Sequence, residues 1–368
     1  MEKILDIVDA IANQKGLEAE AVHTVLKTAY INTAKRILGA HLEFDTQLDE
    51  EHRTYKLYQK IEVVANDDER LKDGVSESLV SLEDALNIDN KAEIGDEIKE
   101  EISLEVFGRT AVMTLHGELE RALQKLTENA VYENYKSKLG KLISGVVTRV
   151  DSGENTYIEM GEVRAVLPKK NRIKDEYFRV GDTVKTIVRH VTMNIKDGIK
   201  IELSRTTPKF LEELLTLEVP EIADGLIAIE KCARIPGKRA KIALSTTRAH
   251  IDPVGAAIGT KGIRINAVSR ELKGENIDVI SYSDMPETFI ASAMSPAIIN
   301  SVMRKEDNKA IVIIDSAQKA KAIGKDGINI RLASMLTGYE IELQESGTDQ
   351  QRDEKVDGTS VLSALFNE

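Results

Sequence analysis

The sequence contains no tryptophan, one cysteine among its 368 residues and only 4% aromatic residues. A lone cysteine, Cys232, excludes an intramolecular disulfide and a cysteine-rich zinc site, and it fits the reducing cytoplasm. Residues around Cys232 alternate as in a strand, so a buried, unreactive thiol is expected there. No stretch approaches the roughly 20 apolar residues that span a bilayer. The opening Met1-Glu2-Lys3-Ile4-Leu5-Asp6 places acids inside the first apolar turn, which argues against a secretory signal. The six histidines, at 23, 41, 52, 116, 190 and 250, never cluster at metal-ligand spacing. A Gly-x-x-x-x-Gly-Lys-Ser/Thr phosphate loop and a Gly-x-Ser-x-Gly elbow are both missing. Enzymatic activity, a metal and a cofactor are therefore not expected.

What the chain does have is acid, unevenly spread. Its net charge is −12. Residues 1–137 carry 16 basic and 29 acidic side chains, whereas 138–205 carry 14 and 9. Residues 206–225 return to a net of −4, 226–345 reach +3 and 346–368 fall to −3. Phosphate binding follows local potential rather than the total. The segments 138–205 and 226–345 can face nucleic acid, and the first segment is better suited to a protein partner.

The strongest internal signal is a repeat. Ile258-Gly259-Thr260-Lys261-Gly262 returns as Ile323-Gly324-Lys325-Asp326-Gly327. Ala257–Ser269 matches Ala322–Ser334 at 7 of 13 positions. Each copy reads as helix, Gly-x-x-Gly turn, helix, the device with which KH domains clamp four nucleotides of a single strand. The flanks agree. Pro208–Val219 predicts a helix, then Ile227–Arg234 and Lys241–Thr246 predict strands around a Pro236-Gly237 turn. Asp252-Pro253 caps the next helix, and Ile277–Ile280 closes the unit as a strand. Pro286–Met294, Val302, Ala310–Ile314, Ala317–Ile323, Ile328–Leu336 and Tyr339–Leu343 repeat the order α-β-β-α-α-β.

Ahead of these units the period changes twice. Apolar stripes at helical spacing (Ile4, Leu5, Val8, Ile11, Ala12, then Val22, Val25, Leu26, Ala29, Ala34) predict two helices. His41–Asp45, Tyr55–Tyr58 and Ile61–Val64 read as strands, Leu82–Ile88 as a short helix, and Ile94–Ile98 as a turn leading into a strand. Val106–Leu139 reads as one long helix with Val112, Leu115, Leu119, Leu123, Leu126 and Val131 on its apolar side. From 140 to 205 the period becomes two. Five short strands separated by Gly153, Gly161, Gly181-Asp182 and Asp197-Gly198 predict a small barrel, most simply an OB fold of the S-one type.

The fold class expected is thus multidomain α+β. It comprises an acidic N-terminal α/β domain with a long linking helix (1–137), a five-stranded OB-type barrel (138–205), two tandem KH domains (206–282 and 283–345) and an acidic flexible tail (346–368). The chemistry expected at the loops follows from the turn. Glycines let the backbone approach a phosphate, and the following helix presents free N–H groups and the positive end of its dipole. Lys261 and Lys325 add charge, Thr260 lies beside Lys261, and Ile258 and Ile323 offer an apolar floor for bases. Arg264, Asn329 and Arg331 sit early in the second helices, within reach of phosphates or base edges. Asp326 opposes phosphate binding in the second loop. On the barrel, Arg164, Lys169, Lys170, Arg172, Lys185 and Arg189 predict a basic face. The aromatics there (Tyr157, Tyr177 and Phe178) are few for a strong stacking platform.

An acidic α/β segment, an S-one-type barrel and two KH units, in that order, resemble the bacterial NusA family of transcription termination/antitermination factors over about residues 1–345. The resemblance is carried by Leu203-Ser204-Arg205-Thr206, Glu218-Val219-Pro220-Glu221-Ile222, Ala240-Lys241-Ile242-Ala243, Asp252-Pro253-Val254-Gly255, Ile323-Gly324 to Gly327 and Asn329–Ser334. It implies that the N-terminal domain binds the RNA polymerase core near the RNA exit channel. Barrel and KH units would then meet single-stranded nascent RNA, and pausing, intrinsic termination and antitermination would be modulated. Other antitermination factors and ribosomal proteins are further partners it implies; a membrane is not, and a monomer is expected. Acidic C-terminal repeats found in some relatives are not expected here, and Val361–Phe366 reads as a short docking segment. An RNA-binding accessory of RNA decay or of ribosome assembly is the alternative reading.

Overall fold

The computed structural model describes residues 10–346 apart from positions 11, 15, 50, 53, 72–75, 89, 104–107, 162 and 195–197. Ile4, Leu5, Val8 and Ile11 of the first expected helix, Val106, Asp197 and the tail after Ser346 lie outside the described residues. The chain divides into two compact units, Met1–Asn134 and Tyr135–Glu368.

In the first unit, helix α1 (Ala19–Leu38) buries Val22, Leu26, Ala29 and Ala34 of the stripe read from the sequence, together with Tyr30, and leaves Val25 half-buried. It packs on a sheet of β1 (Glu43–Asp49), β2 (Thr54–Val64), β3 (Leu79–Ser81) and β4 (Glu97–Ile102), with the short helix α2 (Leu82–Ile88) after β3. Strand β2 is central: its first half pairs antiparallel with β1, its last three residues pair parallel with β3, and β4 lies along its other side. The sequence reading divided β2 in two at Gln59-Lys60. The structure makes it continuous because Gln59 is buried and its amide donates to the Glu77 carbonyl, which removes the cost of a polar group on the inner face. Helix α3 (Gly108–Ser137) lays Leu115, Leu119, Leu123 and Leu126 on the core around Tyr30 and Tyr55. Val112, expected on that stripe, is instead 60% exposed; one position earlier, Ala111 takes the buried place.

In the second unit, β5 (Leu142–Val150), β6 (Thr156–Met160), β7 (Val163–Leu167), β8 (Thr183–Asn194) and β9 (Gly198–Ser204) close a barrel in the order β5-β6-β7-β9-β8. This strand order is consistent with the OB type. Gly145 is needed on β5: a Cβ there would stand 2.6 Å from the Glu159 carbonyl oxygen. Helix α4 (Pro208–Glu218) and the turn α5 (Pro220–Ala223) lead into β10 (Ala228–Ile235), β11 (Arg239–Ser245), helices α6 (Pro253–Ile258) and α7 (Ile263–Glu271), and β12 (Asn276–Ser281). The second copy runs α8 (Pro286–Ala293), β13 (Ser301–Arg304), β14 (Lys309–Ile314), α9 (Lys319–Ile323), α10 (Ile328–Thr337) and β15 (Glu340–Glu345). In both sheets the first two strands pair antiparallel and the last joins parallel to the middle one. Repeat and topology therefore agree over whole units.

These modules share their cores. Ile173 and Ile187 of the barrel pack with Phe210, Leu211, Leu214 and Leu215 of α4 in the core beneath β11. Ala233, Ala243 and Ile280 of the first KH sheet pack with Phe289, Leu332, Ala333 and Leu336 of the second unit. Three buried cations pin the seams. Arg205 reaches Glu176 at 2.7 Å, Glu271 at 2.9 Å and the Lys185 carbonyl at 2.5 Å. Arg234 meets Glu275 at 2.8 Å, both side chains being 0% exposed, and donates to the carbonyls of Arg205 and Thr207. Lys241 donates to Asp278 at 2.9 Å and to the Ser295 carbonyl at 2.6 Å, so it ties the first KH sheet to the second unit. Burial pulls the Lys241 ammonium below the usual lysine range, against the opposing pull of Asp278.

Cys232 lies on β10 half-buried at the edge of the core under the sheet, short of the full burial expected, and the desolvation there pushes its thiol up to about 12. The thiolate is the reactive form. The folded protein is thus expected to leave Cys232 unmodified by a water-soluble disulfide reagent at pH 8 and to react fully in denaturant. Fast modification of the folded chain would contradict this assignment.

Candidate nucleic-acid interface

The two Gly-x-x-Gly loops have the same backbone. Gly259 has φ 73° and ψ 170°, and Gly324 has φ 74° and ψ 171°. This is a region that essentially only glycine occupies. A Cβ on Gly259 would meet Arg264 Cγ at 2.9 Å, and one on Gly324 would meet Asn329 Cβ at 2.7 Å. Two residues on, Lys261 and Asp326 hold matching left-handed conformations, φ 54° and 56°. Gly262 and Gly327, also left-handed, then start α7 and α10 with no side-chain cap. The Ile263 and Ile328 N–H groups donate to the Thr260 and Lys325 carbonyls within the loops. No side chain covers either helix start, so the positive end of each dipole faces the loop, which favours an anion there.

Side-chain placement sorts the residues expected at these loops. Thr260, Lys261 and Lys325 are exposed, and Ile258 and Ile323 are each 36% exposed beside their loops. Ile263, at the first position of α7 and 66% exposed, extends the apolar floor of the first loop. It was missed because an isoleucine at a helix start reads as core. Arg331 is exposed on α10.

Arg264 and Asn329 do not point outward as their spacing suggested. Arg264 donates to Glu221 at 2.9 Å and to the Ala256 carbonyl at 2.7 Å, bracing α6 and α7 against α5. Asn329 is 3% exposed. Its amide donates to the carbonyls of Met294, Lys321 and Ala322. Both side chains shape the loops from behind. The second loop also faces the first KH unit, with Lys238, Arg239 and Asn276 joining Lys325, Asp326 and Asn329 around a cavity of about 260 Å³. Arg239 is held there by a two-pronged pair with Asp278 at 2.7 Å.

The basic face expected on the barrel is largely neutralised. Glu154 binds Lys169 at 3.0 Å and Arg172 at 2.8 Å, and Arg172 is buried. The Lys169 hydrogen bond, with help from Arg172, holds the Glu154 carboxyl below its usual range. Lys170 lies 4.0 Å from Glu202, and Arg189 donates to Asn171 at 2.5 Å. Arg164 is exposed and Lys185 half-buried, neither held by an ion pair among the described residues. Tyr157 is covered by Arg149, 4.3 Å above its ring, and Tyr177 is 76% exposed. The sequence could not show this, because the neutralising acid sits in a loop 15 to 18 residues from its cations.

No helix among the described residues is long and apolar enough to cross a membrane. No group of three or more His, Cys, Asp or Glu among them is placed to hold a metal ion.

Comparison with known proteins adds three matches to family models. Residues 3–130 match the NusA N-terminal domain, 205–282 the NusA-like first KH domain and 286–351 the NusA-like second KH domain. The chain is 38% identical to the transcription termination/antitermination protein NusA of Helicobacter pylori strain J99, with 100% of both chains covered. It is 36% identical to the same protein of Thermus thermophilus, covering 94% of this chain and 90% of that one. With the Bacillus subtilis protein the identity is 32%, over 94% and 91%.

Proposed function

The chain belongs to the NusA family, and on that premise we propose that it is a transcription elongation factor. It binds RNA polymerase and nascent single-stranded RNA, and it modulates pausing, intrinsic termination and antitermination. The observation that carries the RNA half is the pair of uncapped Gly-x-x-Gly loops with matching backbone angles on units that share one core. A shared core fixes the distance between two clamps, so one strand can engage both without a further ordering cost. The polymerase half rests on the family and on charge, since residues 1–137 carry 29 acidic against 16 basic side chains and would be repelled by RNA.

Four segments divide the work in this reading: 1–137 for polymerase, 138–205 for placing the strand, and 206–282 and 283–345 for gripping it. Ile258, Gly259, Thr260, Lys261 and Gly262 form the first grip, and Ile323, Gly324, Lys325 and Gly327, with Arg331, form the second. Arg264 and Asn329 act as braces. Arg164 and Lys185 supply the barrel's free charge, with Lys169, Lys170, Arg172 and Arg189 contributing only where their carboxylate or amide partners release them. No covalent chemistry is assigned to any of these residues.

The test is single-round transcription with purified bacterial RNA polymerase on a template carrying a hairpin pause and an intrinsic terminator. Adding the full chain is expected to change pause lifetime and terminator read-through. An unchanged transcript pattern, with pull-downs that recover ribosomal particles or a nuclease but no polymerase, would refute the proposal.

A further inference from the structure

The two loops share one backbone and differ in charge at one equivalent place. Lys261 has φ 54° and ψ 26°, and Asp326 has φ 56° and ψ 24°. The first KH unit thus directs a cation, and the second a carboxylate, from the same point of the same turn. Asp326 is exposed, and among the described residues it has no ion pair or hydrogen-bond partner. A carboxylate is an acceptor only, repelled by phosphate and satisfied by N–H or O–H donors. Its surroundings nevertheless stay cationic: Lys325 precedes it and Lys238 lies across the cavity, neither held in an ion pair among the described residues. The site therefore keeps charge for the backbone of a strand while placing one acceptor where the first loop places a donor.

We propose that Asp326 is a specificity-determining residue that accepts a hydrogen bond from the bound strand. The donor is either a ribose 2′-hydroxyl or an exocyclic base amino group. The first loop then supplies affinity through charge, and the second supplies selection. A 2′-hydroxyl is the group by which a protein distinguishes RNA from DNA, and single-stranded recognition reads unpaired base edges. The assignment rests on the RNA-binding reading of these loops given above.

Two substitutions keep the turn. Asparagine tolerates the left-handed conformation as aspartate does, and lysine already occupies it at 261. Anisotropy titrations of the full chain and of the Asp326→Asn and Asp326→Lys variants would use three probes. These are a mixed-sequence RNA of about twelve nucleotides, enough for two four-nucleotide clamps, the same sequence as DNA, and an oligouridine, which lacks exocyclic amino groups. Asp326→Lys is expected to bind all three more tightly. It should also lower by about fivefold, the loss of one charge-assisted hydrogen bond at an exposed site, either the RNA-to-DNA or the RNA-to-oligouridine preference. Asp326→Asn should fall between. A change in the first ratio identifies the 2′-hydroxyl, and a change in the second identifies the base. If both ratios stay within about twofold while RNA binding persists, Asp326 is only a repelling charge and the proposal is wrong. If the unsubstituted chain binds no RNA, the reading beneath it fails instead.

Discussion

Replacing Arg234 by alanine is expected to cost about 3–5 kcal/mol of folding stability, the range for breaking a fully buried ion pair from one side. The guanidinium makes two contacts with Glu275 through Nε and a third through Nη2, at 2.8 to 3.1 Å, and Nη1 satisfies the carbonyls of Arg205 and Thr207. It also lies 5.8 Å over the Phe210 ring, which Arg205 covers at 4.9 Å. Truncation would leave the Glu275 carboxylate enclosed with one remaining donor, the Gly237 amide at 2.9 Å. The loss should appear in urea titration followed by far-UV circular dichroism, and a change under about 1 kcal/mol would show that water reaches Glu275 freely. Removing both charges, as Arg234→Met with Glu275→Leu, should recover more than half the loss, because apolar replacement of a buried pair is often neutral. Recovery should stop short of complete, since two carbonyls and one amide would lose their partners.

That pair also shows where sequence reading stops. Helix stripes, strand alternation, the repeat and the barrel were legible because each is a local pattern with its own period. The roles of individual cations were not. Arg205, Arg234 and Lys241 count toward the positive charge of the RNA-facing segments, yet each is buried against a carboxylate 29 to 66 residues away. Two of the three lie in the stretches that carried the family resemblance, Leu203–Thr206 and Ala240–Ala243. In both stretches the charged side chain is buried and bonded across a seam between modules. Arg264 and Asn329 failed in the same way. Their position after the loop is right for a contact, but Arg264 is held by the Ala256 carbonyl and the Glu221 carboxylate, and Asn329 by the carbonyls of Met294, Lys321 and Ala322, partners brought together only by the fold.

Changing Gly259 to aspartate and Lys261 to glutamate together is expected to weaken RNA binding on the order of 100-fold, combining backbone strain with a three-charge swing at a phosphate site. The corresponding Gly324→Asp and Lys325→Glu change should weaken it less, on the order of tenfold, because Asp326 already limits what that loop gives to phosphate. The glycine substitutions are not equivalent, however. At Gly259 the added carbon meets only atoms of the Arg264 side chain, whereas at Gly324 it meets Asn329 Cβ at 2.7 Å and the Asn329 backbone nitrogen at 3.0 Å. Misfolding of the second unit could then imitate a binding loss. The lysine changes alone avoid this, since Lys261 and Lys325 are exposed and add no strain. Lys261→Glu should cost about tenfold and Lys325→Glu about threefold at equal salt. The first variant should also reduce the slope of log affinity against log salt by about 0.7, the value for one single-strand phosphate contact. Anisotropy titration over a salt series reads both quantities, with thermal melts confirming that each variant is folded. Equal losses from the two lysine variants would mean that Asp326 does not weaken its loop. An unchanged salt slope for Lys261→Glu would mean that the first loop does not hold a phosphate at all.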